Sequence, residues 1–139
     1  METVLSLSAR SQQFYVLCRH WESDLEFFRI ETAFLHRLLD DYFVQLLSPE
    51  YFEDLKKITR KLFELEKEEN GLSQQIMNQV KQLELAAESV IPEDAEKLTD
   101  EQATIESLYL KLITDYKEVK KEMFSQVEKA MHQKKLITE

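Results

Sequence analysis

FYVLCRHWESDLEFFRIETAFLHRLLDDYFVQLLSPE, residues 14–50, decides the fold class of this 139-residue chain. Apolar positions step by sevens as Phe14, Trp21, Phe28, Leu35 and Tyr42, and a second row interleaves as Cys18, Leu25, Thr32, Leu39 and Leu46. A 3.5-residue repeat keeps such positions on one helical face, the seam of coiled-coil-like packing. Ser8 or Ser11 can cap the start of this helix by accepting a backbone N–H bond. Ser48-Pro49-Glu50 ends it and opens the next: a capping serine, a proline in the first turn and an early carboxylate.

The second run holds phase through Leu55, Ile58, Leu62, Leu65, Glu69, Leu72, Ile76 and Leu83, with Tyr51 before them. Asn70-Gly71 lies inside it and carries the chemistry of a helix stop. The repeat nevertheless crosses Gly71 without a phase change, so a continuous helix is expected, with a glycine cost of about 1 kcal/mol. A break at Gly71 would make a four-helix bundle instead. The chain breaks again at Ile91-Pro92-Glu93-Asp94, after which Thr99 and Gln102 have the form of a capping box. The third helix continues through Ile105, Tyr109, Leu112, Tyr116, Val119, Met123 and Ala130. Short links between helices of about 40 residues each make neighbours antiparallel. The expectation is an all-α, up-down-up three-helix bundle, a single domain over 1–139.

Composition agrees. One glycine and two prolines fall far below the usual roughly 7% and 5%, which removes the turn-rich sheet folds and every glycine-dependent phosphate loop. Lys and Arg total 18 against 27 Asp and Glu, a net charge of −9, and that balance argues against nucleic acid as a partner. No run approaches the ~20 apolar residues of a membrane span. The first ten residues lack the pattern of a signal peptide. A lone Cys18 cannot form an internal disulfide, and the cytoplasm is the expected compartment.

Candidate chemistry is sparse. A di-iron bundle needs Glu-x-x-His on two helices, but Leu17, Ala33 and Lys129 precede the three histidines at that spacing. His20 with Asp24, His36 with Asp40 and Glu128 with His132 are spaced as helix-surface ion pairs. Cys18 sits on the seam between Phe14 and Trp21, and His20 points about 160° away from it, so it reads as a packed thiol without an activating base. No catalytic, metal or cofactor-binding residue is assigned, and a metal-dependent enzyme ranks below the other readings.

Two features stand out. Thr32 and Glu69 occupy seam positions, and folding about the two turns brings Glu69 level with Lys120 and Lys121. A buried polar layer of these four residues would fix register more than add stability. The apolar arc of the first helix is also wide, roughly 220° against about 100° for an ordinary amphipathic helix. Val16, Phe27, Phe34 and Leu38 extend it on one side, and Phe43 and Leu47 on the other. Phe27, Phe34 and Leu38 form the expected interaction face, since interfaces favour aromatic centres and two-fold pairing is the commonest arrangement. Charge is polarised too: Glu84 to Glu106 holds eight acids and one base, Lys97, whereas Lys56, Lys57, Arg60, Lys61, Lys129, Lys134 and Lys135 lie towards the other end. The leading expectation is a non-enzymatic interaction protein that forms a dimer or docks another protein through the aromatic face of its first helix. The alternative is a regulatory bundle holding an apolar molecule among Trp21, Phe28, Tyr109 and Tyr116.

Overall fold

Ser8 starts the first long helix. Its Oγ accepts the Ser11 N–H at 3.2 Å and its carbonyl accepts the Gln12 N–H at 3.0 Å, so the N-cap is Ser8 rather than Ser11. The computed structural model describes residues 4–43 and 49–138, with side chains over 4–41 and 52–132. Within them lie a 3-10 turn at Val4–Ser6, then α1 (Ala9–Phe43), α2 (Pro49–Ala87) and α3 (Ala95–Thr138). Leu46, Leu47 and Ser48, and the side chains of Tyr42, Phe43, Tyr51, Lys134 and Lys135, lie outside the described residues. The fold is all-helical, and inter-helix packing is that of a three-helix bundle.

α2 is one helix through Gly71, so the four-helix alternative does not apply. The glycine sits without positive φ, as a residue between two strong periodic segments must when tertiary packing outweighs propensity. α2 stops later, on a left-handed turn. Ser89 has φ 61°, and the Val90 N–H reaches back to the Leu85 carbonyl at 2.9 Å, the six-to-one bond of a Schellman cap. α3 begins four residues before the expected Thr99. Asp94 caps it, its Oδ1 accepting the Lys97 N–H at 3.1 Å. The Thr99–Gln102 capping box is therefore corrected: Gln102 is 4% exposed and its amide serves the core.

The described residues pack as two compact units, each with a segment of all three helices. In the first (Met1–Phe28 and Glu68–Lys111), Cys18, Trp21, Leu25 and Phe28 of α1 are buried, as are Leu72, Ile76, Val80 and Leu83 of α2 and Leu98 and Ile105 of α3. Contacting residue numbers rise together on α1 and α3, from Cys18–Gln102 to Asp24–Tyr109. They oppose on α2 and α3, from Gln79–Gln102 to Glu68–Lys111. Val4 and Leu7 close the end of this unit against Leu83, Ala87 and Leu98. Polar links tie the closure down: Ser6 Oγ donates to the Ala87 carbonyl at 2.9 Å. The Glu93 carboxylate accepts the Ser8 N–H at 3.0 Å and the Ser11 hydroxyl at 3.2 Å.

The second unit (Arg29–Lys67 and Leu112–Glu139) buries Leu35 and Leu39 with Leu55, Ile58, Leu62 and Leu65, and with Leu112, Tyr116, Val119 and Met123. Every described seam position named for α2 is buried, including Glu69 at 2% exposure.

Two substitutions test the weak points of α2. A Cβ at Gly71 meets nothing within 4 Å, so Gly71→Ala is expected to stabilise the fold by about 1 kcal/mol through helix propensity alone. Ser89→Gly relieves a left-handed residue and is expected to add roughly 0.5–1 kcal/mol. Urea unfolding of each variant measures both. No gain for Gly71→Ala would mean that the helix is not regular at that point.

Candidate interaction site

Burial divides α1 into two apolar stripes rather than one broad arc. Trp21, Leu25, Phe28, Leu35 and Leu39 are buried seam. At 100° per residue a second stripe runs about 140° away from them, and its members are in water: Phe27 is 69% exposed, Ile30 61% and Phe34 51%. Val16 is exposed on the same stripe, whereas Leu38 is half-buried. Of the predicted face, Phe27 and Phe34 are open to solvent and Leu38 contributes an edge. Ile30 was missed, though its spacing of three and four from Phe27 and Phe34 placed it between them.

Asp24 and Glu31 lie between the two stripes of α1. In the first unit the Tyr109 hydroxyl donates to Asp24 Oδ2 at 2.5 Å, and the Trp21 and Tyr109 rings stack with centroids 5.6 Å apart. In the second unit the Tyr116 hydroxyl donates to Glu31 Oε1 at 2.6 Å. Lys120 Nζ donates to the same oxygen at 2.6 Å. The pattern recurs after seven residues on both helices because a hydroxyl at the edge of a periodic seam meets the next carboxylate one repeat later. Lys120 and then Tyr116 hold the Glu31 carboxyl below its ordinary 4.5. Burial, with the Asp24 carboxylate second, pushes the Tyr109 phenol up to about 12.

The residues predicted for a polar layer are placed as follows. Thr32 is buried, and its hydroxyl donates to the Arg29 carbonyl at 3.2 Å. Glu69 is buried and accepts the Ser73 hydroxyl at 2.8 Å. Lys120 binds Glu31, and Lys121 is exposed.

A different buried polar group, in the first unit, escaped the sequence reading. Gln102 Oε1 accepts Gln79 Nε2 at 3.2 Å and the Cys18 thiol at 3.4 Å, while Gln102 Nε2 donates to the Phe14 carbonyl at 3.4 Å. Gln79 Nε2 also donates to the Leu98 carbonyl at 2.8 Å. The signal was present, because one further step of three back from Ile105 along the seam lands on Gln102. Burial raises the Cys18 thiol to about 12, which keeps it protonated and unreactive at neutral pH.

The histidines divide. His20 sits 3.5 Å from Asp24, as its spacing of four predicts. His36 instead bridges to α2, its Nε2 2.5 Å from Glu66 Oε1 and its ring 4.5 Å from that of Phe63. The Asp40 pairing expected from spacing gives way to this contact between helices. No group of three or more His, Cys, Asp or Glu is placed to hold a metal among the described residues, and none of the described helices is long and apolar enough to cross a membrane.

Two cavities lie away from the aromatic seam. One of about 640 Å³ lies at the α2–α3 turn, with Gln82, Ile91 and Leu98 in its wall beside Glu96, Asp100 and Glu101. A shallower one of about 470 Å³ runs along α3 beside Phe124, Val127 and Met131. Comparison with protein-family models, with curated proteins and with solved structures finds no match for this chain.

Glu31 carries an acid-stability prediction. Its carboxyl is depressed in the folded chain and ordinary in the unfolded one. The stabilisation is thus complete above about pH 4.5 and lost as pH falls through the lower folded value. Glu31→Gln is expected to lower the urea midpoint at pH 7 and to flatten its decline towards pH ~3. An unchanged decline would mean that the bonds from Lys120 and Tyr116 do not persist in solution.

Proposed function

We propose that this protein is a non-enzymatic interaction module of the cytoplasm that associates with a second copy of itself through the outward stripe of α1. The observation that carries the reading is the solvent exposure of Phe27, Ile30 and Phe34 at successive positions of one helical face. Isolated exposed apolar residues are normal on a surface, but an aromatic pair with an isoleucine between them at helical spacing marks a contact. Phe63, Met77 and Leu110 are exposed as well, without exposed apolar neighbours at spacings of three and four on their own helices, and Phe124 and Met131 of α3 are exposed on either side of a Val127 that is buried.

Magnitude bears on the kind of association. Side chains already half in contact with protein gain about 1–1.5 kcal/mol each on full burial. Three from each copy then supply roughly 6–9 kcal/mol, the same order as the cost of bringing two molecules together. The stripe by itself therefore supports a weak, concentration-dependent dimer rather than an obligate one. Exclusion of the two phenyl rings from water is the mechanism, and the acidic surface of the chain disfavours contact elsewhere.

Sedimentation across a dilution series tests this reading. The wild-type chain is expected to pass from monomer to dimer as concentration rises, and Phe34→Glu to remain monomeric with unchanged helical circular dichroism. Leu110→Glu, an equally exposed site on α3, is expected to leave the dimer intact. A wild-type monomer at the highest concentration, or a dimer indifferent to Phe34→Glu, would sink the proposal.

A further inference from the structure

Gln79 of α2 ends on an oxygen that the packed core leaves unused. The residue is 2% exposed, and its amide orientation is fixed because both Nε2 hydrogens are taken. One goes to the Leu98 carbonyl at 2.8 Å and the other to Gln102 Oε1 at 3.2 Å. Gln79 Oε1 accepts no bond from the described residues. Every fully buried side-chain nitrogen or oxygen among them has a partner, so this oxygen keeps contact with open space. The space that Gln79 lines is the cavity of about 640 Å³ at the α2–α3 turn, well inside the roughly 300–1,000 Å³ of small-molecule sites. All of its lining residues belong to the first unit.

The rest of the wall narrows the chemistry of an occupant. Ile91, Pro92 and Leu98 make it apolar towards the turn. Across from Gln79, which is level with Gln102, α3 contributes Glu101, with Glu96 and Asp100 beside it and Lys97 as the one cation. Asp94 lines the cavity too, but its carboxylate caps α3 by accepting the Lys97 N–H at 3.1 Å. The helix N-terminus, where an anion would otherwise bind, is thereby occupied. Among the described residues no three carboxylates, imidazoles or thiols converge on a metal position. The cavity therefore combines an apolar end, a buried oxygen that requires a hydrogen-bond donor, and a surplus of negative charge.

We propose that this cavity binds a small primary alkylammonium ion. Its ammonium donates to Gln79 Oε1 on the Glu101 side, and its alkyl body lies against Ile91, Pro92 and Leu98. A neutral alcohol can donate to the same oxygen but draws nothing from the surplus charge. A carboxylate has no proton to donate at neutral pH and is repelled by the acids of α3. An ammonium on an alkyl body meets all three conditions. The cavity contains no residue of α1, so the site stands whether or not the chain pairs through Phe27 and Phe34.

The test is a nuclear magnetic resonance titration of the intact, isotope-labelled chain with n-hexylammonium chloride at neutral pH, read at the Gln79 side-chain amide. A saturable shift of that resonance is expected, at concentrations where 1-hexanol, sodium hexanoate and sodium chloride leave it in place. Glu101→Gln is expected to weaken binding about threefold and Lys97→Gln to tighten it by a similar factor, since each changes the charge of the wall by one unit. Helical circular dichroism of both variants is expected to match wild type, and high salt is expected to shrink both effects. No saturable shift with hexylammonium overturns the proposal and leaves the cavity to water. An equal response to hexanol or to hexanoate overturns it as well, because the cavity then does not select for positive charge. Binding that ignores both substitutions places the cation elsewhere and has the same consequence.

Discussion

A periodic apolar seam can slide by one repeat and still bury nearly the same surface, so the constraint on which this structure depends is polar. In the first unit the Gln102 amide must accept from Gln79 and donate to the Phe14 carbonyl within a closed core. A shift of seven residues would bury those groups without partners, at about 1–3 kcal/mol for each unmet one. The Tyr109–Asp24 bond repeats the condition at the edge of the same seam. In the second unit the condition falls on Glu31, which receives Tyr116 and Lys120 together. Leucine and isoleucine supply the driving force for association of the helices, whereas glutamine, tyrosine and carboxylate choose the alignment.

That division explains what could be read from the chain alone. The seam from Cys18 to Leu39, its continuation through Leu55 to Leu83 and the uninterrupted passage over Gly71 follow from spacing, a local property written in the order of residues. The Ser8 cap and the proline start of α2 are local as well. The third start was misplaced because Asp94 and Thr99 both carry capping oxygens, and the choice rests on where Gln102 is needed. An amide recruited into the core cannot also close a capping box. His36 is a similar case. Spacing offers it Asp40 one turn away, but Glu66 on a neighbouring helix competes, and only the packed structure brings that carboxylate within 2.5 Å.

The wide apolar arc of α1 was legible as an amount of hydrophobic surface but not as its arrangement. Asp24 and Glu31 sit inside the arc, and on sequence grounds a charge among apolar residues reads as noise on one broad face. Their bonds to Tyr109 and Tyr116 show that they mark a boundary. On one side is the seam that folds the chain. On the other is a stripe that no described side chain covers fully.

The boundary also bears on why a folding seam and an exposed aromatic stripe can share a helix without confusion between them. If the residues between the two stripes were apolar, α1 could roll and present Phe27 and Phe34 to the core in place of Phe28 and Leu35, since both sets repeat at seven. Rolling would carry Asp24 and Glu31 away from the phenols and the ammonium that satisfy them and leave those partners unpaired at the edge of the core. The cost of breaking such charge-assisted bonds, about 1.5–3 kcal/mol each before any gain from water, opposes the roll. The two carboxylates thereby hold the aromatic stripe outward. A surface whose phenyl rings would gain by being buried is kept in solvent by the same bonds that align α3 with α1.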